Sequence, residues 1–104
     1  MTDIPIGIKQ AIANHAREES PQEACGFVIN GEIVKCKNDH PLPLSNFAIT
    51  ARDYMKAEEE GSIEAIYHSH PEGPNNFSLR DVQSCKQSNV PWIEIGRASC
   101  RERV

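Results

Sequence analysis

No run of apolar residues in this 104-residue chain approaches the 18 or so that a membrane-spanning helix needs. The N-terminus lacks the basic-then-apolar pattern of a secretory signal. A basic stripe is also missing. Lys and Arg number 11 against 15 Asp and Glu, and the net charge is −4. The acids are spread over Glu18-Glu19, Glu58-Glu59-Glu60 and elsewhere, which argues against a nucleic-acid partner. Cys25, Cys36, Cys85 and Cys100 show no Cys-x-x-Cys spacing. That excludes the paired cysteine ligands of the zinc deaminases. The four read as separate thiols of a reducing compartment, small residues of the core, with a Cys metal ligand only as a minor alternative. Apolar residues at 38% are few but compatible with one core, and the length allows one small domain.

What is present centres on His68-Ser69-His70-Pro71, running on through Gly73 and Pro74 to Ser78 and Asp81. An apolar run, Ile63 to Tyr67, precedes the histidines. Alternate residues of a strand share a face, so His68 and His70 on a strand end point one way. The turn-rich 71–76 segment can fold back and bring Asp81, in the first turn of a helix, opposite them. Two neutral imidazoles and a carboxylate form a common catalytic zinc set with a fourth position open to water. Each half has a plainer explanation. Ser78-x-x-Asp81 is also an N-capping pattern, and a His-x-His pair can be a polar loop entrance. Taken together, in this order and spacing, the two halves favour a metal site.

The rest of the chain alternates helix and strand patterns. Ile8, Ile12 and His15 or Ala16 recur at helical spacing and predict a helix over 5–19, with Pro5 at its start and Ser20-Pro21 at its end. His15 lies near the apolar face and reads as structural. Residues 23–29 and 32–37 predict strands joined by an Asn30-Gly31 hairpin turn. Taken alone, Glu23 would be a solvated charge at a strand edge. The 38–45 loop holds His40, read as a surface residue. A short strand is expected over 47–50. A helix capped by Thr50, with Asp53 completing the box, should run to Gly61 in the C′ position. Residues 63–70 form the central strand, 78–89 a helix, and 90–93 the start of another strand, with Trp92 in the core. The expectation is a mixed central β-sheet flanked by helices, of the α/β (α+β) class.

His68-x-His70, seven intervening residues and Ser78-x-x-Asp81 resemble the JAMM motif of the MPN+ metallopeptidases. That family also requires an upstream glutamate before a small-Gly-apolar strand, and Glu23-Ala24-Cys25-Gly26-Phe27-Val28 matches it. The resemblance covers residues from about 5 to 93. Its wording, Val90-Pro91-Trp92-Ile93 included, is most similar to the N-terminal domain of tail assembly proteins of lambda-like phages. The resemblance implies a cytidine-deaminase-like fold and a Zn²⁺ cofactor held by His68, His70 and Asp81. It implies that Glu23 is the general base and that Ser78 stabilises the intermediate. It implies hydrolysis of a peptide or isopeptide bond in a peptide or protein substrate, with phage tail proteins as possible partners. A downstream NlpC-type peptidase domain and a location in the host cytoplasm, or on the virion, follow from the phage likeness. The competing expectation is a non-catalytic tail-assembly or interaction module on the same fold.

Residues 94–104 break the pattern. From Ile95 they back-translate as ATC GGA AGA GCG TCG TGT AGG GAA AGA GTG, the sequence of a common sequencing adapter. Native sequence is therefore expected to stop near Ile93, with a domain incomplete at its C-terminus and a poorly packed tail.

Overall fold

A computed structural model describes residues 5–42, 46–69 and 90–95, and the backbone of 100–103. Helix α1 spans Ile6–Glu19, strand β1 Cys25–Ile29, β2 Glu32–Cys36, helix α2 Ala51–Glu60, β3 Ile63–Ser69, β4 Trp92–Ile95 and β5 Cys100–Arg103. The strands form one sheet in the order β2-β1-β3-β4-β5. β3 and β4 run parallel and the other pairs antiparallel, so the sheet is mixed, as expected.

The two central strands have the sequences this position demands. All five residues of β1 are buried, and so are the last five of β3. Strands covered on both faces read as near-continuous apolar runs rather than alternating ones. On one face Ile8 and Ile12 of α1 pack with Val28, Ala65, Tyr67 and Ile93. On the other, Ala57 of α2 packs with Phe27, Ile29, Ile66 and Trp92, and Phe47, Ile49 and Tyr54 lie against them. Burying an isoleucine side chain such as that of Ile12 contributes roughly 1.5–3 kcal/mol. Trp92 is in the core, as its sequence context suggests.

The turns follow from local chemistry. Asn30 (φ 53°) and Gly31 (φ 76°) both take positive φ, the conformation of a two-residue hairpin turn that matches the strand twist. Gly31 N–H donates to the Glu64 carboxylate at 2.8 Å. Thr50 caps α2 by accepting from Asp53 N–H at 3.1 Å. Gly61 does end α2, but with an extended φ of 161° rather than a left-handed one. Its role is space: a Cβ there would lie 3.0 Å from Ile29 Cγ2 and 3.2 Å from Asn30 Nδ2.

Three expectations need correction or fall elsewhere. Residues 47–50 form no strand, because their neighbourhood bonds to Asn38 and Asp39 instead of a sheet ladder. Glu94 and Ile95 extend β4, Glu94 is fully buried, and the 100–103 backbone pairs with β4. The expected loose tail thus joins the sheet, since ladder bonds need only backbone groups, which any sequence supplies. The helix expected over 78–89 lies outside the described residues.

α1 is tied to the sheet by one buried polar contact. His15 Nδ1 and Tyr67 Oη share a 2.7 Å hydrogen bond, with the rings edge-on at 5.8 Å. To reach it, Tyr67 lies across Gly26, its register partner on β1. A Cβ on Gly26 would meet Val34 O and come within 2.6 Å of the Tyr67 ring and hydroxyl. Gly26→Ala is therefore expected to lower stability by about 1–3 kcal/mol through overpacking, read from the denaturation midpoint. An unchanged midpoint would mean that Tyr67 does not occupy that space.

Burial depresses the His15 pKa, opposed by nearby Glu19 and Glu18 and assisted by Lys35. Glu19 Oε1 stands 3.9 Å from Nε2. The unfolded chain, with an imidazole pKa of about 6.5, then binds the proton more readily than the fold does. Stability should decline as pH falls from about 6.5 toward the depressed value and be unaffected by His15 above it. His15→Gln should flatten that slope in chemical melts at stepped pH, and equal slopes would exonerate His15.

Candidate active site

Glu23 lies just ahead of β1, whose neighbour β3 carries His68. In the β1–β3 register Cys25 stands opposite His68. The pairing continues one step beyond β1: Ser69 N–H donates to Ala24 O at 3.0 Å, and Ala24 N–H donates to the Ser69 hydroxyl at 2.8 Å. Glu23 is therefore attached directly beyond a doubly bonded pair, next to the end of β3 that carries His68. Its side chain belongs to a residue only 4% exposed, so the solvated-edge explanation does not hold. The carbonyl of Glu23 accepts from Asn38 Nδ2 at 3.0 Å.

His68 is fully buried. Phe47 stacks on its imidazole, with centroids 4.5 Å apart and planes 15° from parallel. Trp92 meets it edge-on at 5.7 Å and Phe47 at 5.5 Å. Offset and edge contacts of this kind hold a ring in one orientation. The Glu94 carboxylate stands 4.0 Å from His68 Nε2, both side chains being buried, which is too long for a hydrogen bond.

His70, Ser78 and Asp81 lie outside the described residues. Among the described residues no three His, Cys, Asp or Glu side chains cluster as a metal site. The two described candidates are compatible with the chemistry of one, both being buried: His68 on β3 offers an imidazole, and Glu23, ahead of β1, a carboxylate. The cysteines do not compete. Cys25 is buried and Cys36 partly so, both as free thiols. Burial pushes Cys25 up to about 12 and Cys36 to about 11, so neither readily supplies a thiolate. His15 is structural, as its helix position indicated. His40 is partly exposed, and its Nδ1 accepts from Leu42 N–H at 2.9 Å.

Sequence reasoning missed Asn38, Phe47 and the structural part of Ser69. Ser69 carried a signal: between two histidines on a strand it must face the opposite side, and a small hydroxyl there can bond the next strand. Phe47 and Asn38 lie in irregular segments, where periodicity says nothing about contacts.

Comparison with known proteins agrees with this architecture. Residues 5–103 match the family model described as prokaryotic homologs of the JAB domain. The chain is 36% identical over 86 residues to tail tip assembly protein K of Escherichia phage N15, covering 79% of this chain and 35% of that protein. It thus spans about a third of the phage protein's length. It is 32% identical over 107 aligned positions to a probable TtuB-protein conjugate cleaving protease of Thermus thermophilus, covering 94% of this chain and 72% of that protein. Two solution structures share the fold. A Desulfitobacterium hafniense protein superposes with a TM-score of 0.75 at 20% identity, over 92% of this chain and 78% of that one. A Salinibacter ruber protein superposes with a TM-score of 0.60 at 16% identity, over 98% of this chain and 80% of that one. The chain belongs to the prokaryotic homologs of the JAB domain, within the JAMM/MPN family that its motif resembles.

Proposed function

We propose that this chain is a zinc-dependent peptidase domain that hydrolyses a peptide or isopeptide bond. The observation that carries the reading is the placement of Glu23. A glutamate that sequence alone would leave in solvent is buried beside the strand end bearing His68. Membership of a family that includes a probable conjugate-cleaving protease supports it.

In this reading His68, His70 and Asp81 would hold Zn²⁺, which would supply a water acidified toward a pKa of about 7. Glu23 would accept a proton as the water attacks the carbonyl carbon and return it to the leaving amine nitrogen, so the C–N bond breaks without expelling an amide anion. The Ser78 hydroxyl donates a hydrogen bond to the oxygen that gains charge as the carbonyl is attacked. The Phe47 and Trp92 rings keep His68 in one orientation and shield it from solvent. The likeness to tail tip assembly protein K suggests work on tail proteins during assembly. The motif's resemblance to lambda-like phage proteins adds cell-wall peptide as an alternative substrate, a host cytoplasm as the setting and an NlpC-type domain in the natural protein. The likeness to the Thermus protein suggests a protein conjugate, of the TtuB-protein kind named for that relative, instead.

Glu23→Gln should keep zinc, measured by elemental analysis, while peptide cleavage falls by roughly 10²–10⁴-fold, because the base is lost and the ligands are not. An unchanged cleavage rate would remove Glu23 from the mechanism. His68→Ala should lose both zinc and cleavage, since two remaining protein ligands hold the ion poorly. Parent protein with neither zinc nor hydrolysis would leave the interaction-module reading in its place.

A further inference from the structure

Asn38 follows β2 and uses both ends of its side-chain amide. Nδ2 donates to Glu23 O at 3.0 Å and to Asn46 O at 2.9 Å. Oδ1 accepts from the backbone N–H groups of His40 and Ala48, each at 3.1 Å. A side-chain amide carries both donors and acceptor lone pairs, and these four bonds engage both ends of it. Asp39 N–H adds a bond to Ala48 O at 2.9 Å.

The four bonds join three segments that share no element: the residue before the β1 ladder, the turn after β2, and the irregular 46–48 stretch. Phe47 sits between Asn46 and Ala48, whose main chains Asn38 holds, and its ring lies flat on His68. A continuous path therefore runs from Glu23 through Asn38 and Phe47 to His68. The Ala24–Ser69 bonds close the circuit from the other side.

We propose that Asn38 is a positioning residue that sets the placement of Glu23 relative to His68. The proposal rests on the reading of Glu23 as general base and His68 as metal ligand. A base works only with its oxygen within about 2.6–3.2 Å of the atom whose proton it takes, or one water away. Glu23 precedes the β1 ladder, so Asn38 and the Ala24–Ser69 pair supply the hold that strand neighbours would otherwise give. Displacing a catalytic group by about 1 Å can cost on the order of a hundredfold in rate.

Two variants of the full chain test this. Asn38→Asp keeps the acceptor oxygens for His40 and Ala48 but loses both donors. Asn38→Ala loses all four bonds. In zinc-loaded protein, Asn38→Asp should lower kcat for a peptide reporter by about tenfold to a hundredfold, with zinc content unchanged. KM should stay within about twofold, since substrate binding is not the step affected. In a Glu23→Gln background the same change should add no further loss, because the residue it positions is already inactive. In zinc-free protein, Asn38→Ala should move the His68 ring resonances downfield as the Phe47 ring current is withdrawn. If Asn38→Ala does not fold, Asn38→Asp, which still frees Asn46 O, should show the same displacement in smaller measure.

Unchanged kcat in Asn38→Asp, an equal loss in the Glu23→Gln background, or unmoved His68 resonances would each overturn the proposal. A parent protein that binds no zinc and cleaves nothing would instead refute the peptidase reading. The resonance measurement would then decide by itself whether Asn38 places the Phe47 ring on His68.

Discussion

The antiparallel pairing of β1 with β3 is the constraint from which the rest of the molecule follows. It aligns Cys25 with His68 and Gly26 with Tyr67. The first alignment brings the Glu23 end of β1 to the histidine end of β3. The second sends the Tyr67 ring across a glycine toward α1. A slip of one residue would exchange the two faces of each strand, sending His68 toward α1 and Tyr67 toward α2. The two bonds between Ala24 and Ser69 make such a slip costly, because both involve buried groups that need partners.

The two faces of the sheet are divided between stability and chemistry. The described core under α1 is largely apolar around the His15–Tyr67 pair, where burial disfavours a charge on either ring group. The opposite face carries α2, the aromatic cluster of Phe47 and Trp92, and His68. Ordered aromatic surroundings cost conformational entropy, and packing in the second core offsets it. The hold on Phe47 comes from an irregular segment rather than a strand. Irregular backbone must still satisfy its polar groups, and Asn38 supplies partners for several of them at once.

Two proteins named for different roles, a tail tip assembly protein and a probable conjugate cleaving protease, are similar to this chain over most of its length. A shared fold does not fix a role, so a difference in role between such relatives lies in the sites each carries on it.

The sequence by itself determined helices α1 and α2, strands β1, β2 and β3 and the start of β4, the Asn30-Gly31 turn, the Thr50 cap and the family. Each of these rests on local physics or on spacing: φ preferences, a side chain reaching its own backbone, periodic burial. It also indicated His15 as structural, since a histidine on the apolar stripe of a helix must find a buried partner. Tertiary structure alone decided that Glu23 is buried, that Phe47 stacks on His68, that Asn38 joins them and that Gly61 serves close packing rather than a left-handed turn. It also turned the expected 47–50 strand into a tethered loop, and drew Glu94 and the 100–103 backbone into the sheet. These outcomes depend on which segments meet across tens of residues of chain. Local preferences, which extend over a few residues, carry no record of such meetings.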